Sequence, residues 1–107
     1  MTVAIKSLED GQLADAKATI YTAPTAKQAI VNRITLVNTN TSTEIVNLYF
    51  KASSGTSRRI IPKDYSLIAA ALFVMDDAIT LQAADIIEGD TTTAVKVDFV
   101  ISGVENS

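Results

Sequence analysis

With 107 residues, of which 48% are hydrophobic and 20% charged, the chain has the composition of a globular protein and the length of one domain. Nine basic and twelve acidic side chains give a net charge of -3, so the field of the molecule repels the phosphates of nucleic acids and of anionic membranes. The absence of cysteine and histidine excludes disulfides, zinc–thiolate sites and the usual proton carrier at neutral pH.

The first twelve residues lack the continuous apolar stretch of about 7 to 15 residues that marks a secretory signal. The longest apolar run in the chain, residues 67–75, is also too short to span a bilayer, so we expect a soluble, unprocessed protein. The apolar residues Val3, Ile5 and Leu8 either belong to an ordinary first strand at 2–7 or make residues 1–12 an arm that adds a strand to a neighbour.

Alternation of apolar and polar residues predicts the most regular strands. In EIVNLYFKA, residues 44–52, the core side consists of Val46, Leu48, Phe50 and Ala52, and the opposite side of Asn47, Tyr49 and Lys51. In TAVKVDFVIS, residues 93–102, the core side consists of Val95, Val97, Phe99 and Ile101, and only Val100 breaks the alternation. Branched and aromatic side chains at these positions suit a packed, pleated surface.

The segment QAIVNRITLVN, residues 28–38, alternates less cleanly. Ile30, Ile34 and Leu36 share one side, whereas Val31 and Val37 make the other side partly apolar. This pattern predicts a strand that is covered on both faces. Shorter strands are predicted at residues 2–7, 17–22, 58–61, 79–82 and 85–88, which brings the total to about eight.

Polar clusters at residues 38–43, 53–57 and 88–93 separate these strands. Their short side chains can bond to the local backbone, so each cluster is predicted to be a loop between neighbouring antiparallel strands. Strands at this spacing favour an all-β fold, an antiparallel β-sandwich of jelly-roll or Greek-key type. We expect residues 1–107 to form one such domain.

Residues 66–77, SLIAAALFVMDD, are ambiguous. The alanines have good helix propensity and Ser66 could cap a short helix. However, no polar face is left for a surface helix, so we favour a strand, a turn and a second strand. The similar strings LIAAA (67–71) and LQAAD (81–85) suggest that two successive corners use the same turn.

Few residues suggest a catalytic or metal-binding site. Asp76 and Asp77 are the one adjacent acidic pair, but neighbours on a strand point to opposite faces and do not converge as an acid–base couple. Glu88, Asp90 and Thr91 offer oxygen ligands for calcium, although a hairpin loop is the favoured interpretation. We therefore predict a non-enzymatic protein without a metal or cofactor.

The stretch RRIIPKDYSL places two arginines next to each other in an acidic chain. Adjacent strand residues face opposite ways, and an unpaired inward charge is costly, so Arg58 and Arg59 should lie at a sheet edge or have a partner. Either both are solvated or paired with an acid such as Asp64, or one binds a carboxylate of another subunit. The candidate subunit interface comprises Arg58, Arg59, Val3, Ile5 and Tyr65.

Six strings, in this order and spacing, resemble a group of small virion proteins of tailed bacteriophages. They are YTAP (21–24), ITLVNTN (34–40), VNLYF (46–50), RRIIPKDYSL (58–67), ITLQAADIIEG (79–89) and VDFVISGVE (97–105). The sequence departs from this pattern at IAAAL (68–72), where the resemblance implies a polar turn with glycine.

The resemblance implies a β-sandwich or jelly-roll structural protein on the virion surface, made in the host cytoplasm. It implies a capsid decoration (cement) protein whose partners are the major capsid protein and further copies of itself, with a trimer favoured. A tail or neck component is the alternative within this class. From a different class, a small module that binds a glycan or host surface would need exposed aromatic residues on one face, for which Tyr49 and Tyr65 are candidates.

Overall fold

The computed structural model describes residues 3–106, without the side chains of Val3 and Lys6. Within this range the chain forms β-strands and no helix. The strands are β1 (Val3–Gln12), β2 (Ala18–Thr22), β3 (Ala29–Asn38), β4 (Glu44–Lys51), β5 (Arg58–Arg59), β6 (Tyr65–Leu67), β7 (Leu72–Met75), β8 (Ile79–Leu81), β9 (Ile86–Thr91) and β10 (Val97–Asn106).

The strands form two five-stranded antiparallel sheets that pack face to face. In the first sheet the order is β1, β10, β3, and both β7 and β8 pair with the far side of β3. In the second sheet the order is β2, β9, β4, and both β5 and β6 pair with the far side of β4. If β5–β6 and β7–β8 each count as one interrupted strand, eight strand positions follow the jelly-roll order, which confirms the predicted sandwich.

The core lies between the sheets and consists of the inward side chains of both. Val46 and Leu48 of β4 and Val97 and Ile101 of β10 have no exposed surface, as the alternation predicted. The prediction for Val95 is wrong: this residue is 61% exposed and lies before β10, with a left-handed φ of 60°.

A bulge in β3 changes which side of this strand faces the core. Ser102 pairs with Arg33 and Gly103 pairs with Val31, so Asn32 is an extra residue in the ladder. Because of it, Val31 and Ile34 are both fully buried, whereas Ile30, predicted to face the core with Ile34, is 41% exposed.

Gly103 allows this close approach of β10 to β3. A Cβ atom at Gly103 would lie 2.0 Å from the carbonyl oxygen of Ile30, which no side chain can tolerate. The bulge therefore depends on a glycine at this position.

Residues 66–77 form a strand, a turn and a second strand, as favoured. Leu67 at the end of β6 and Met75 at the end of β7 are both buried, although the two strands belong to different sheets. A strand that changes sheets can bury both residues, whereas a helix on the surface would expose its apolar sides. The loop predicted at 88–93 is partly wrong, because β9 continues to Thr91.

Three turns place an alanine in the same left-handed backbone conformation. The amide of Ala71 donates to the carbonyl of Ile68 at 3.0 Å, and the amide of Asp85 donates to that of Gln82 at 3.0 Å. The third residues of these turns, Ala70 and Ala84, have φ values of 61° and 68°. Residues 24–27 repeat the arrangement, with Ala26 at a φ of 64°. The similar strings at 67–71 and 81–85 therefore form the same turn, whose third residue is normally glycine.

Replacing the left-handed alanines with glycine should stabilise the protein. A left-handed φ destabilises a residue that has a Cβ by about 1–2 kcal/mol. Glycine removes this cost, but its greater conformational freedom in the unfolded chain offsets part of the gain in stability. We expect Ala70→Gly and Ala84→Gly each to raise the free energy of unfolding by about 0.5–1 kcal/mol in urea denaturation. Ala69→Gly, in the same turn but without positive φ, is the control and should lower it; equal effects of Ala69→Gly and Ala70→Gly would contradict the strain argument.

Glu44 is a buried carboxylate at the start of β4, with 1% of its surface exposed. One oxygen accepts hydrogen bonds from the Thr91 hydroxyl and the Thr93 amide, both at 2.8 Å, and the other accepts one from the Asn40 side chain at 2.9 Å. Burial acts to raise the pKa of Glu44, but these hydrogen bonds together hold the pKa below its ordinary value of 4.5. The carboxylate thus joins the start of β4 to the loop that precedes it and to the end of β9 with the loop that follows β9.

Stability should therefore depend on pH through Glu44. Since its pKa is lower in the folded than in the unfolded protein, its contribution is full above about pH 4.5 and is lost as the pH falls through the folded value. Glu44→Gln, which cannot be deprotonated, should be less stable than the parent at pH 7, and the difference should shrink below pH 4.5. Denaturant unfolding from pH 7 to pH 3 measures this, and a difference that stays constant over the range would refute it.

Candidate interaction surfaces

The outer face of the second sheet carries a polar cluster around Tyr49. One row across the sheet runs through Thr19, Glu88, Tyr49 and Arg59, which pair in succession. The Tyr49 cluster consists of Lys17, Asn47, Tyr49, Ser57, Arg59, Asp64, Glu88 and Asp90.

Asn47 is the centre of the hydrogen bonds in this cluster. Its side-chain oxygen accepts from the Arg59 guanidinium at 2.6 Å and from the Asp64 amide at 2.9 Å. Its nitrogen donates to the carboxylates of Asp90 at 2.9 Å and Asp64 at 3.2 Å. A single buried amide on β4 thus fixes the chain between β5 and β6 against the sheet.

Tyr49 contributes an aromatic surface to two cations. The Lys17 ammonium and the Arg59 guanidinium each lie 5.0 Å from the centroid of its ring, within the range of cation–π attraction. Its hydroxyl donates to Asp90 at 3.1 Å, and burial, followed by this carboxylate, raises the pKa of Tyr49. The phenol is therefore neutral at ordinary pH and has a structural part in the cluster.

Ser57 connects the 53–57 loop to the same surface. Its hydroxyl donates to Glu88 at 2.5 Å and accepts from Lys17 at 3.3 Å. Glu88 and Asp90 are thus bonded on the outer face, while the Thr91 hydroxyl donates to Glu44 on the inner side. The three residues considered as calcium ligands do not converge, and residues 3–106 contain no group of three or more acidic side chains placed to hold a metal ion.

The two arginines have different surroundings, as expected for adjacent strand residues. β5 lies at the edge of the second sheet, and both side chains are exposed. Arg59 points to the outer face and is bonded to Asn47, whereas Arg58 has no hydrogen-bond or ion-pair partner among the described residues. Of the two, Arg58 is therefore available to another molecule.

The aromatic residues do not form a common platform. Tyr49 is 9% exposed on the outer face of the second sheet. Tyr65 is half-buried beside Val46 on the core side, with its ring 4.9 Å from that of Phe73. The arrangement that a glycan-binding module would need is not met by Tyr49 and Tyr65.

The other predicted interface residues lie elsewhere in the molecule. Ile5 is 90% exposed on the outer face of the first sheet, in the strand at the opposite edge of the sandwich from β5. The Val3 side chain lies outside the described residues, and its backbone pairs with Asn106. The five residues proposed for one interface are therefore not brought together. Residues 3–12 pair with β10 of the same chain, and the role of residues 1–12 as an arm stays a prediction.

The outer face of the first sheet carries most of the exposed hydrophobic side chains, which was not predicted from the sequence. Five of the seven large hydrophobic residues that are exposed within residues 3–106 lie on it, interspersed with polar residues such as Arg33 and Asp98. They are Ile5, Ile30, Leu72, Val74 and Val100. The partly apolar second side of residues 28–38 and the break in alternation at Val100 were the sequence signals for it. We call this surface the apolar face.

The sequence matches no protein-family model and no curated protein. No helix within residues 3–106 has the length and apolar character needed to cross a membrane.

Solved structures share the fold. A chain of Bacillus endospore appendages, a family of disulfide-linked pili, superposes with a TM-score of 0.56 at 15% identity, over 99% of this chain and 88% of that one. A chain of the acid-stable capsid of Helicobacter pylori bacteriophage KHP30 gives 0.52 at 8% identity, over 98% and 87%. A chain of infectious bursal disease virus Gx strain gives 0.53 at 14% identity, over 97% of this chain.

The present chain spans 32% of the length of the infectious bursal disease virus chain. At these identities the likeness concerns the fold. The protein therefore has the β-fold found in chains of viral capsids and of pili.

Because their contacts differ, the two arginines should contribute differently to the free energy of unfolding. Arg59→Ala removes a hydrogen bond to a buried amide and a cation from the Tyr49 ring, so we expect the free energy of unfolding to fall by about 1 kcal/mol. Arg58→Ala, its matched control at the next position, should change it by less than about 0.5 kcal/mol. Urea denaturation measures both, and equal losses would show that the Tyr49 cluster does not depend on Arg59.

Proposed function

We propose that the protein is a non-enzymatic structural component of a bacteriophage virion, and specifically a capsid decoration protein. The observation that carries this proposal is the exterior of the jelly roll, which gathers most of its large exposed hydrophobic residues on the apolar face. Apolar surface of this kind marks sites of protein–protein contact. The capsid chain of bacteriophage KHP30 has the same fold over nearly its whole length, which supports a place on a phage particle.

A decoration protein stabilises a shell by binding across the joints between capsid subunits. Its effect grows with the contact area and with the number of subunits that it engages, more than with any single residue. The partners in this proposal are the major capsid protein and further copies of the chain.

Arg58 is the proposed polar anchor of the capsid contact. It is exposed at the edge of the second sheet, and no described group of its own chain occupies its guanidinium. An arginine in this state can bind a carboxylate of another subunit through two parallel hydrogen bonds. Arg59 cannot do so without leaving Asn47, which accepts from it at 2.6 Å.

The alternatives within the structural class are a tail or neck component and a pilus-like filament. The fold is compatible with both, since it also occurs in the Bacillus appendages. Those pili are disulfide-linked, whereas the 107 residues of this chain contain no cysteine. A covalent linkage of that type cannot use these residues, so the chemistry favours the virion over the filament.

Binding to capsids that lack decoration tests the proposal. We expect the purified protein to co-sediment with such capsids and to saturate at a fixed number of copies per capsid subunit. Arg58→Glu should weaken binding at least tenfold without changing the melting temperature, because it reverses an exposed charge that has no partner among the described residues. Lys63→Glu is the matched control, since Lys63 is an exposed cation in the adjacent loop and lies outside the proposed contact.

Two outcomes would contradict these claims separately. If the protein does not bind at any salt concentration, the capsid function is wrong. If it binds, but Arg58→Glu and Lys63→Glu weaken it equally, the function stands and the assignment of Arg58 is wrong, because only the general charge matters.

A further inference from the structure

The apolar face is organised in rows that cross the first sheet. At one end, Ile5, Val104 and Ile30 are paired in succession on β1, β10 and β3. At the other end, Val37 is paired with Leu72. Between them lie Val100, Thr35 and Val74, which are also successive partners.

The two outer faces of the sandwich differ in how far other groups of the chain cover their side chains. In the Tyr49 cluster, hydrogen bonds and ring contacts within the chain cover the second sheet. No segment of residues 3–106 packs over the apolar face, and Leu72 and Ile5 are 62% and 90% exposed. The sequence of β3 has the pattern of a strand that is covered on both faces, but in the structure the chain covers only its inner face. A partner is needed to complete the pattern.

The area of the apolar face suits a pair of identical chains. Four strand positions at a spacing of about 4.8 Å, each about 33 Å long, give roughly 600 Å² per copy. Two such faces would bury about 1,200 Å², which is the lower end of the range for specific and stable interfaces.

The charges on the apolar face complement each other in such a pair. Arg33 lies near its middle, beside Ser102, and Asp98 lies at the end where Val37 and Leu72 are found. The Oδ1 atom of Asp98 accepts a hydrogen bond from the Gln12 side chain at 3.0 Å, and Oδ2 has no hydrogen-bond donor among the described residues. Turning one copy end over end places the Ile30 row of one chain over the Leu72 row of the other. The same rotation moves each Arg33 toward the end of the partner that carries Asp98.

We infer that two copies of the chain pack through their apolar faces as a two-fold symmetric dimer, with Arg33 of each directed toward Asp98 of the other. The contact is isologous, so each favourable pair occurs twice. The inference assigns the apolar face, which supports the proposed function as a site of protein–protein contact, to contacts between copies of the chain. It leaves Arg58, which is exposed on the other sheet, for the capsid contact.

Solution mass tests the dimer directly. Sedimentation velocity and light scattering of the purified protein from about 1 µM to 300 µM should show a monomer–dimer equilibrium, since interfaces at the lower end of the size range include weak and transient ones. Leu72→Lys should raise the dimer Kd at least 100-fold, because it buries a charge in the contact. Ile68→Lys is the matched control: Ile68 is 66% exposed but lies in the turn outside the apolar face, and this change should leave the Kd within about twofold.

Charge exchange tests the orientation. Arg33→Asp and Asp98→Arg should each weaken the dimer at least tenfold, and the double variant should recover most of the loss. Circular dichroism melting of every variant checks that the fold is kept.

Three results would overturn the inference. The wild-type protein could stay monomeric at 300 µM, it could have the mass of three copies, or Leu72→Lys and Ile68→Lys could have equal effects. Repeating the capsid binding with Leu72→Lys separates the two proposals, because loss of the dimer with retained capsid binding shows that the apolar face serves copies of the chain alone. If the wild type is a monomer that binds capsids and Leu72→Lys loses this binding, the capsid occupies this face instead.

Discussion

The rest of the structure depends on the burial of two sheet faces against each other. Each strand must keep its apolar side chains between the sheets, and where simple alternation would turn them outward, the backbone changes instead. In β3 the extra residue Asn32 keeps both Val31 and Ile34 fully buried. The partner strand meets this bulge with Gly103, where a Cβ would collide with the carbonyl of Ile30. The cost of a distorted ladder is smaller than that of exposing a valine or an isoleucine to water.

The same constraint explains what the sequence could predict. Period-two patterns identified β4 and β10 and the all-β class, because burial acts on every second residue of a regular strand. The error at Ile30 arose where a bulge shifts the period by one residue, and a bulge leaves no composition signal. Val95 has an apolar side chain in a left-handed turn, and no pattern rule places a branched residue there.

The Tyr49 cluster could not be derived from the chain order. Asn47 and Arg59 were both assigned to an outer or edge position, but their contact depends on the pairing of Tyr49 with Arg59 across the sheet. Sequence reasoning identified Arg58 and Arg59 as a pair with two different surroundings. Which of them is occupied follows from the position of Asn47, twelve residues away in sequence.

The sheet edges near β5 and β7 are poorly suited to the addition of a strand from another chain. An uninterrupted edge strand offers a row of free amides and carbonyls to any other chain. Here the second sheet ends in β5 and β6, separated by residues 60–64 with Pro62, and the first sheet ends in β7 and β8, separated by residues 76–78. Asp76 and Asp77 at this break are exposed and disfavour an added strand through their charge and its hydration.

These broken edges block indiscriminate pairing on one side of the sandwich, so contacts there depend on side chains such as Arg58. On the other side β1 is continuous over ten residues, but it carries a bulge between Ser7 and Glu9. A bulge twists an edge away from regular pairing, so this strand too is a poor template for addition. Specific association is then left to side chains, either single residues at an edge such as Arg58 or the outer face of the first sheet, which carries most of the exposed hydrophobic residues of the described range.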